Sequence, residues 1–155
     1  MKIGSLLLII IAFLWSCNLQ NEDAASVSTS IPLTGTWKLI TGTLIENGDT
    51  VITDYTEETS FIKIINDTHF AFLQHDLTNR MDSLAVFVAG GGSYSLIDST
   101  YTEHLEYCSA RNWEGNDFTF TIGVRNDTLT QKGVEKIESE GIDRLNIEKY
   151  VRVKP

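Results

Sequence analysis

The stretch YTEHLEY, residues 101–107, is the densest group of polar and aromatic side chains in the sequence. Side chains alternate between two faces of an extended strand, so Tyr101, Glu103 and Tyr107 are predicted to share one face. If that face is buried, a carboxylate between two phenols must be hydrogen-bonded or neutral. In that case Glu103 is a candidate polar anchor of a ligand site. Two alternatives stay open: Glu103 is an acid or base in an enzyme, or these groups satisfy one another and fix the strand register.

The spacing of other reactive residues argues against a metal site, a nucleophile motif or a nucleotide-binding loop. His69 and His75 would lie roughly 20 Å apart on one extended strand, so they are not expected to share a metal ion. The sequence has no Gly-x-Ser-x-Gly nucleophile motif. The glycine triplet at 90–92 lacks the spacing of a nucleotide-binding loop, and we interpret it as a bend or bulge. We therefore predict no metal site and no cofactor, and we assign no catalytic residue.

The segments that carry these residues have the two-residue period of β-strands. FTFTIGV, residues 118–124, alternates apolar side chains with small ones, and HFAFLQH, SLAVFVA and SYSLI are rich in β-branched and aromatic residues. Turn-forming pairs separate the segments, such as the Asn-Gly of ENGDT and the Asn-Asp of NDT. This pattern predicts an all-β antiparallel meander. Several segments are apolar or small on both faces, which favours an up-and-down barrel with a partly hydroxylated interior over a solid sandwich.

A Gly-x-Trp motif opens the first predicted strand, in TGTWKLI, and the last predicted strand reads NIEKYVRV. Gly35 and Trp37 resemble the short signature of lipocalins and related small barrels. The resemblance implies that Trp37 plugs the closed end of a barrel and that Arg152 stacks on its ring as a cation–π pair. Glu148, Tyr150 and Arg152 share one face of the last strand. This face could instead reach a ligand carboxylate, which makes Tyr150 a candidate ligand contact.

The middle of the chain resembles a family of lipocalin-like bacterial lipoproteins of unassigned function. In that family a glycine-rich strand start leads to Gly-x-Tyr, a turn, Tyr-x-Glu and a final aromatic residue. The matching residues here are Gly92, Tyr94, Tyr101, Glu103 and Tyr107. The resemblance covers nearly the whole predicted barrel and implies a calycin-type fold without naming a substrate. It makes the three tyrosines and Glu103 candidate ligand contacts.

The first residues, MKIGSLLLIIIAFLWSC, have one positive charge, Lys2, followed by an uncharged apolar run. The run is shorter than the ~20 residues of a membrane-spanning helix and is typical of a secretory signal. Leu14, three residues before Cys17, and the small Ser16 resemble the bacterial lipoprotein signal, which implies that Cys17 becomes the lipidated N-terminus. Several acyl chains would hold the protein to a membrane, since each buried CH₂ contributes about 0.8 kcal/mol. A plain signal peptide or an uncleaved anchor stays an alternative.

These features divide the sequence into a lipoprotein signal peptide over 1–16, a lipidated N-terminus with a flexible tether over 17–33, and a lipocalin-like barrel over 34–155. Removal of the leader, whose only charge is Lys2, changes the formal charge from −9 to −10. This acidic balance argues against nucleic acid as a partner. With Cys17 lipidated, Cys108 has no disulfide partner and is expected to be a small buried apolar residue.

Three functions are compatible with these features. The first is a lipid-anchored protein that binds a small hydrophobic or amphipathic molecule at the cell envelope of a Gram-negative bacterium; Asn18 after the cysteine resembles the pattern of export to the outer membrane. The second is a filled barrel that serves as a structural or interaction lipoprotein. The third is a barrel enzyme that acts on a bound lipid or small ester through Glu103 and the tyrosines. The presence of a cavity separates the first function from the second, and the oligomeric state stays open.

Overall fold

The structure is a computed structural model that describes residues 31–78, 81–82 and 84–154. Its strands are β1 Gly35–Glu46, β2 Asp49–Asp54, β3 Thr59–Ile65, β4 His69–Asp76, β5 Phe87–Ile97, β6 Thr100–Cys108, β7 Asp117–Arg125, β8 Thr128–Ile137 and β9 Ile142–Arg152. Short 3-10 turns, Arg111–Trp113 and Glu138–Glu140, follow β6 and β8. The predicted leader, Cys17 and most of the tether lie outside the described residues. Within the described part, no helix has the length and apolar character that a membrane span requires.

The strands form one sheet that closes on itself. Consecutive strands from β3 to β9 pair antiparallel, and β9 pairs antiparallel with β1. The other edge of β1 is shared by two strands, because β3 pairs with residues 35–38 and β2 with residues 41–46. Since β2 and β3 occupy one place in the wall, the barrel has eight strands. The prediction of an all-β, up-and-down antiparallel barrel is confirmed.

Tight turns connect the strands where the turn-forming pairs predicted them. Asn47 and Gly48 between β1 and β2, and Asn126 and Asp127 between β7 and β8, all have positive φ. Two-residue hairpin turns need this conformation, and Gly, Asn and Asp tolerate it better than other residues. The local turn chemistry therefore determines where these strands end.

One end of the barrel is closed by Trp37, which is fully buried. Its indole Nε1 donates a hydrogen bond of 2.7 Å to the carbonyl oxygen of Leu33, which holds the segment before β1 across the barrel end. The Arg152 guanidinium lies 4.0 Å from the centroid of the Trp37 ring and donates to the carbonyl oxygens of Pro32 and Thr34. A cation–π contact contributes about 0.5–2 kcal/mol. The first strand, the last strand and the N-terminal segment are thus tied together at this end.

Gly35 makes the close approach of Arg152 feasible. It has a φ of +143°, a conformation that L side chains rarely adopt. A Cβ at this position would also collide with Nη1 of Arg152. A glycine is therefore required at the first position of the Gly-x-Trp motif, because Arg152, near the other end of the chain, occupies the space that a side chain would need.

A β-bulge interrupts the alternation of β6. Gly91 pairs with Tyr107, whereas Gly92 pairs with Leu105, so Glu106 is an extra residue in β6. A Cβ on Gly92 would collide with the backbone of β6, so the bulge requires a glycine opposite it. An extra residue shifts the parity of a strand, and side chains beyond it point to the opposite faces. The bulge lies within the glycine triplet, where the sequence analysis placed a bend or bulge.

The apolar core fills the half of the barrel next to Trp37. The fully buried hydrophobic and aromatic side chains in this half belong to Trp37, Leu39, Ile65, Tyr101, Leu129 and Tyr150. Each lies on a strand segment next to the turns of the closed end. The opposite half of the interior is not filled in this way and contains the candidate site.

Candidate functional site

The half of the barrel remote from Trp37 contains a cavity of about 280 Å³. Its mouth lies at the end where β1 turns into β2, β6 leads to β7 and β8 leads to β9, because residues next to these connections line it. Pockets for drug-sized ligands have volumes of roughly 300–1,000 Å³. The cavity is therefore suited to a molecule somewhat smaller than these ligands.

Aromatic rings form much of the cavity wall. The aromatic lining residues are Tyr55, Phe61, Phe72, Trp113, Phe118 and Phe120. Phe61 and Phe72 are stacked with ring centroids 5.8 Å apart, and Trp113 packs on Phe118 at 5.7 Å. Alternation along the strands directs the phenylalanines inward. Such rings offer an apolar surface, and their faces attract cations.

The floor of the cavity contains a buried ion pair. Lys63 Nζ on β3 donates to Glu103 Oε1 on β6 over 2.7 Å and to Gln131 Oε1 on β8 over 3.1 Å. The Lys63 and Glu103 side chains are only 2% and 8% exposed. Burial lowers the pKa of Lys63, but the carboxylates of Glu103 and Glu148 outweigh it and raise the pKa above its ordinary value. The lysine is therefore protonated, and the three side chains hold one another in place.

A further carboxylate, Glu148 on β9, lies beside this pair and lines the cavity. Its Oε2 accepts a hydrogen bond of 2.8 Å from the Tyr150 hydroxyl. Among the residues that the structure describes, no Lys, Arg or His makes an ion pair with it. Burial raises the pKa of Glu148; the charge of Lys63 opposes this shift, and the charge of Glu103 adds to it. The charge of Glu148 is thus only partly compensated by the protein.

Gly42 lies beside Glu148 and allows the ring of Tyr55 to approach the wall closely. Gly42 and Glu148 face each other across β1 and β9. Tyr55, from the break between β2 and β3, packs over the glycine: a Cβ on Gly42 would lie 3.1 Å from the Tyr55 ring. Burial raises the pKa of the Tyr55 phenol, and the charge of Glu148 raises it further. Tyr55 and Gly42 also line the cavity, so an aromatic ring and the carboxylate face the same space.

A second polar group lies nearer the mouth. Glu135 on β8 accepts a 2.8 Å hydrogen bond from Nε of Arg144 and a 2.7 Å hydrogen bond from Nδ2 of Asn146, both on β9. The Arg144 guanidinium also lies 5.3 Å from the centroid of the Trp113 ring. The positive charge of Arg144 is therefore engaged by a carboxylate and an aromatic ring of the protein itself.

The predicted ligand contacts lie at different depths. Glu103 lines the cavity, whereas Tyr101 and Tyr150 are fully buried beneath its floor. The Tyr101 hydroxyl has no hydrogen-bond partner in the described part of the chain, and burial raises its pKa well above the ordinary value. Tyr94 packs on Tyr101 with ring centroids 5.2 Å apart and donates its hydroxyl hydrogen to a carbonyl oxygen in the β3–β4 turn. Tyr150 acts on the cavity through its hydrogen bond to Glu148.

Tyr107 lies on the outer surface of the barrel and is 68% exposed. Strict alternation along the strand predicted that Tyr107 shares the face of Glu103. The extra residue Glu106 in the bulge reverses the alternation, so Tyr107 points outward and Cys108 takes the inward position. Cys108 is a half-buried free thiol that lines the cavity. We therefore leave Tyr107 out of the candidate site.

Four polar residues of the cavity, Lys63, Gln131, Glu135 and Arg144, belong to no motif that predicts a site from the sequence. A lysine in a strand is normally taken as exposed, because isolated charges are costly to bury. Its neighbours two residues away on β3, Phe61 and Ile65, are apolar, and this alternation is the signal that places Lys63 inside. Glu135 and Arg144 become recognisable as a pair only when the register of β8 against β9 is known.

The histidines do not join this site. His69 and His75 lie at the two ends of β4 and are exposed. Within the described ranges, no group of three His, Cys, Asp or Glu residues is arranged to hold a metal ion. The chemistry of the cavity is that of aromatic rings, carboxylates, two cations and amides.

No protein-family model matches the sequence, and no match is found among the curated proteins. The closed eight-stranded antiparallel barrel is consistent with a calycin or lipocalin-like fold. The functional conclusion therefore depends on the geometry of the cavity. A cavity with aromatic walls, a fixed polar floor and an open mouth can hold a small amphipathic molecule in one orientation.

Proposed function

We propose that this protein is a lipid-anchored carrier of the bacterial cell envelope that binds a small amphipathic molecule inside its barrel. The observation that carries this proposal is the cavity of about 280 Å³ with aromatic walls and a charged floor. The apolar part of the ligand contacts the rings, and its polar part meets the groups on the floor. A barrel with a purely structural role would not need such a space.

The floor is organised before any ligand enters. Lys63 is fixed by Glu103 and Gln131, and Glu148 is fixed by Tyr150. A ligand that meets these groups pays little for ordering them, which favours binding. Contact with the aromatic walls adds about 25 cal/mol for each Å² of apolar surface removed from water. The walls thus supply affinity and the floor supplies orientation.

The proposed location comes from the start of the sequence. Cys17 follows an apolar leader that resembles the lipoprotein type, and the sequence between it and the barrel has the polar composition of a tether. Because acyl chains on Cys17 would hold the protein at a membrane, the barrel would take up its ligand near the membrane surface. Replacement of Cys17 by Ala should abolish incorporation of labelled palmitate and release the protein from the membrane fraction. Retention of both label and membrane association would remove the anchor from the proposal.

The carrier role is tested by small molecules that copurify with the full-length protein from its own envelope. Leu44 lines the cavity, so Leu44→Trp should fill part of it. Thr43 is the neighbouring residue on β1 and has the opposite parity, so Thr43→Trp is the matched control. Mass spectrometry of solvent extracts should find one class of molecule with the wild type and with Thr43→Trp, and much less of it with Leu44→Trp. Equal amounts in all three preparations would contradict binding in the cavity.

A further inference from the structure

The charged groups that line the cavity do not balance. Three carboxylates, Glu103, Glu135 and Glu148, face two cations, Lys63 and Arg144. Each cation is already matched, since Lys63 lies 2.7 Å from Glu103 and Arg144 lies 2.8 Å from Glu135. Glu148 is the carboxylate that is left over. A ligand that brings a positive charge would complete this arrangement.

The surroundings of Glu148 have room for a cation. Glu148 lines the cavity of about 280 Å³, which provides the room, and the Tyr55 ring covers Gly42 opposite it. The stacked rings of Phe61 and Phe72 line the same cavity. Aromatic faces attract ammonium groups, more strongly where water is excluded, and a carboxylate forms charge-assisted hydrogen bonds with N–H donors. The same cavity therefore offers a counter-charge, ring faces and space.

A negatively charged ligand fits this site poorly. It would meet Glu148 directly, and the two cations of the cavity would have to leave Glu103 and Glu135 to reach it. Breaking a buried pair leaves an uncompensated charge, which is unfavourable. A neutral ligand would leave the charge of Glu148 as it is. Charge and geometry thus favour a cationic ligand over both alternatives.

On the basis of the proposed carrier function, we infer that the ligand is a small amine, whose protonated nitrogen lies against Glu148 and whose apolar or aromatic body contacts the rings of the cavity wall. The nitrogen donates hydrogen bonds to the Glu148 carboxylate, and the aromatic faces surround the rest of the charge. The cavity volume of about 280 Å³ restricts the ligand to a compact molecule, such as an arylalkylamine.

Three probes of nearly equal size separate charge from shape: phenethylamine, phenethyl alcohol and phenylpropanoate. Their binding to the full-length protein in detergent is measured by calorimetry at pH 7 and low salt. We expect phenethylamine to bind about tenfold or more tightly than the alcohol, and the carboxylate to bind most weakly. The order of the three probes on the wild type tests the charge of the ligand, and a variant of Glu148 tests which residue recognises that charge.

Glu148→Gln removes the charge and keeps an oxygen that can accept the Tyr150 hydrogen bond. In this variant the preference for the amine over the alcohol should fall to about threefold or less, with the alcohol bound as before. Glu138→Gln is the control, because it removes a charge from a side chain that is 84% exposed at the surface. It should leave the preference unchanged.

The possible failures are distinguishable. If the alcohol or the carboxylate binds as tightly as the amine, the inference about the ligand is overturned and the carrier function stands. An amine preference that survives in Glu148→Gln also overturns the inference. If none of the probes binds and no molecule copurifies with the protein, the carrier function itself fails.

Discussion

Lys63 Nζ and Glu103 Oε1 lie 2.7 Å apart at the floor of the cavity, and both side chains are almost fully excluded from water. The two residues are 40 positions apart in the sequence and lie on β3 and β6, which are not neighbours in the sheet. Their contact therefore spans the barrel interior. It separates the packed core beneath from the open cavity above.

Removal of one member of this pair should destabilise the barrel strongly. Lys63→Met leaves the buried Glu103 carboxylate without its cation, and loss of one partner of a buried pair costs about 3–5 kcal/mol. The double variant Lys63→Met with Glu103→Leu removes both charges of the pair and should recover much of the loss. Urea denaturation measures the free energy of unfolding of each variant.

The control for this prediction is an exposed pair. Lys136 lies 3.3 Å from Glu138 at the surface, and Lys136→Met should change the free energy of unfolding by less than about 1 kcal/mol. If Lys63→Met lowers the free energy of unfolding as little as Lys136→Met does, the buried pair of Lys63 and Glu103 does not stabilise the barrel.

The closed end provides a second prediction. Gly35→Ala places a Cβ against Arg152 and forces an unfavourable φ, so it should destabilise the barrel by about 1–3 kcal/mol. Gly123→Ala is the matched control, because a Cβ on Gly123 would meet no atom within 4 Å. Thermal unfolding followed by circular dichroism compares the two. Equal midpoints would show that the contact between Gly35 and Arg152 does not constrain the barrel end.

The inward position of Cys108 can be tested by thiol chemistry. In a chain with Cys17→Ser, Cys108 should react slowly with N-ethylmaleimide and several-fold more slowly again when phenethylamine saturates the cavity. The control moves the thiol by one residue, with Cys108→Ser and Ser109→Cys, to an exposed position. The moved thiol should react quickly at a rate that the amine does not change. Protection of both thiols alike would argue against a ligand in the cavity.

Glu148 makes the stability of the ligand-free protein depend on pH. Its pKa is raised by folding, so the native state binds a proton more tightly than the unfolded state does. Stability from this group is therefore present below the ordinary pKa of 4.5 and is lost as the pH rises through the raised value. Glu148→Gln should be more stable than the wild type at neutral pH and similar to it in acid. Thermal melts from pH 4 to pH 8 measure the unfolding midpoints of both proteins. A difference between the two midpoints that does not change with pH would contradict this prediction.

Much of the fold could be predicted from the sequence because its signals are local. The alternation of FTFTIGV and the turn pairs Asn-Gly and Asn-Asp depend only on neighbouring residues, and they predicted the strands and the antiparallel meander. Trp37 and Arg152 were matched through a resemblance that links the two ends of the chain. In the structure, β1 pairs with β9 and closes the barrel, with Trp37 directly opposite Arg152.

The site was less predictable because it depends on register. One extra residue, Glu106, turns Tyr107 outward and Cys108 inward, and strict alternation cannot foresee it. The pairing of Lys63 with Glu103 requires knowledge of how β3 faces β6 across the barrel. The excess carboxylate appears only after each cation has been matched to its partner. Local patterns thus predicted the strands of the barrel wall, whereas contacts between distant residues determine which side chains line the cavity.

The most direct test of the account is a crystal structure of the full-length protein with phenethylamine. We predict the amine nitrogen about 2.7–3.0 Å from a carboxylate oxygen of Glu148, with the phenyl ring against the aromatic cavity wall. The contact between Lys63 and Glu103 should stay unchanged beneath it. A cavity that contains only water at saturating amine, or an amine bound on the outside of the barrel, would contradict the account.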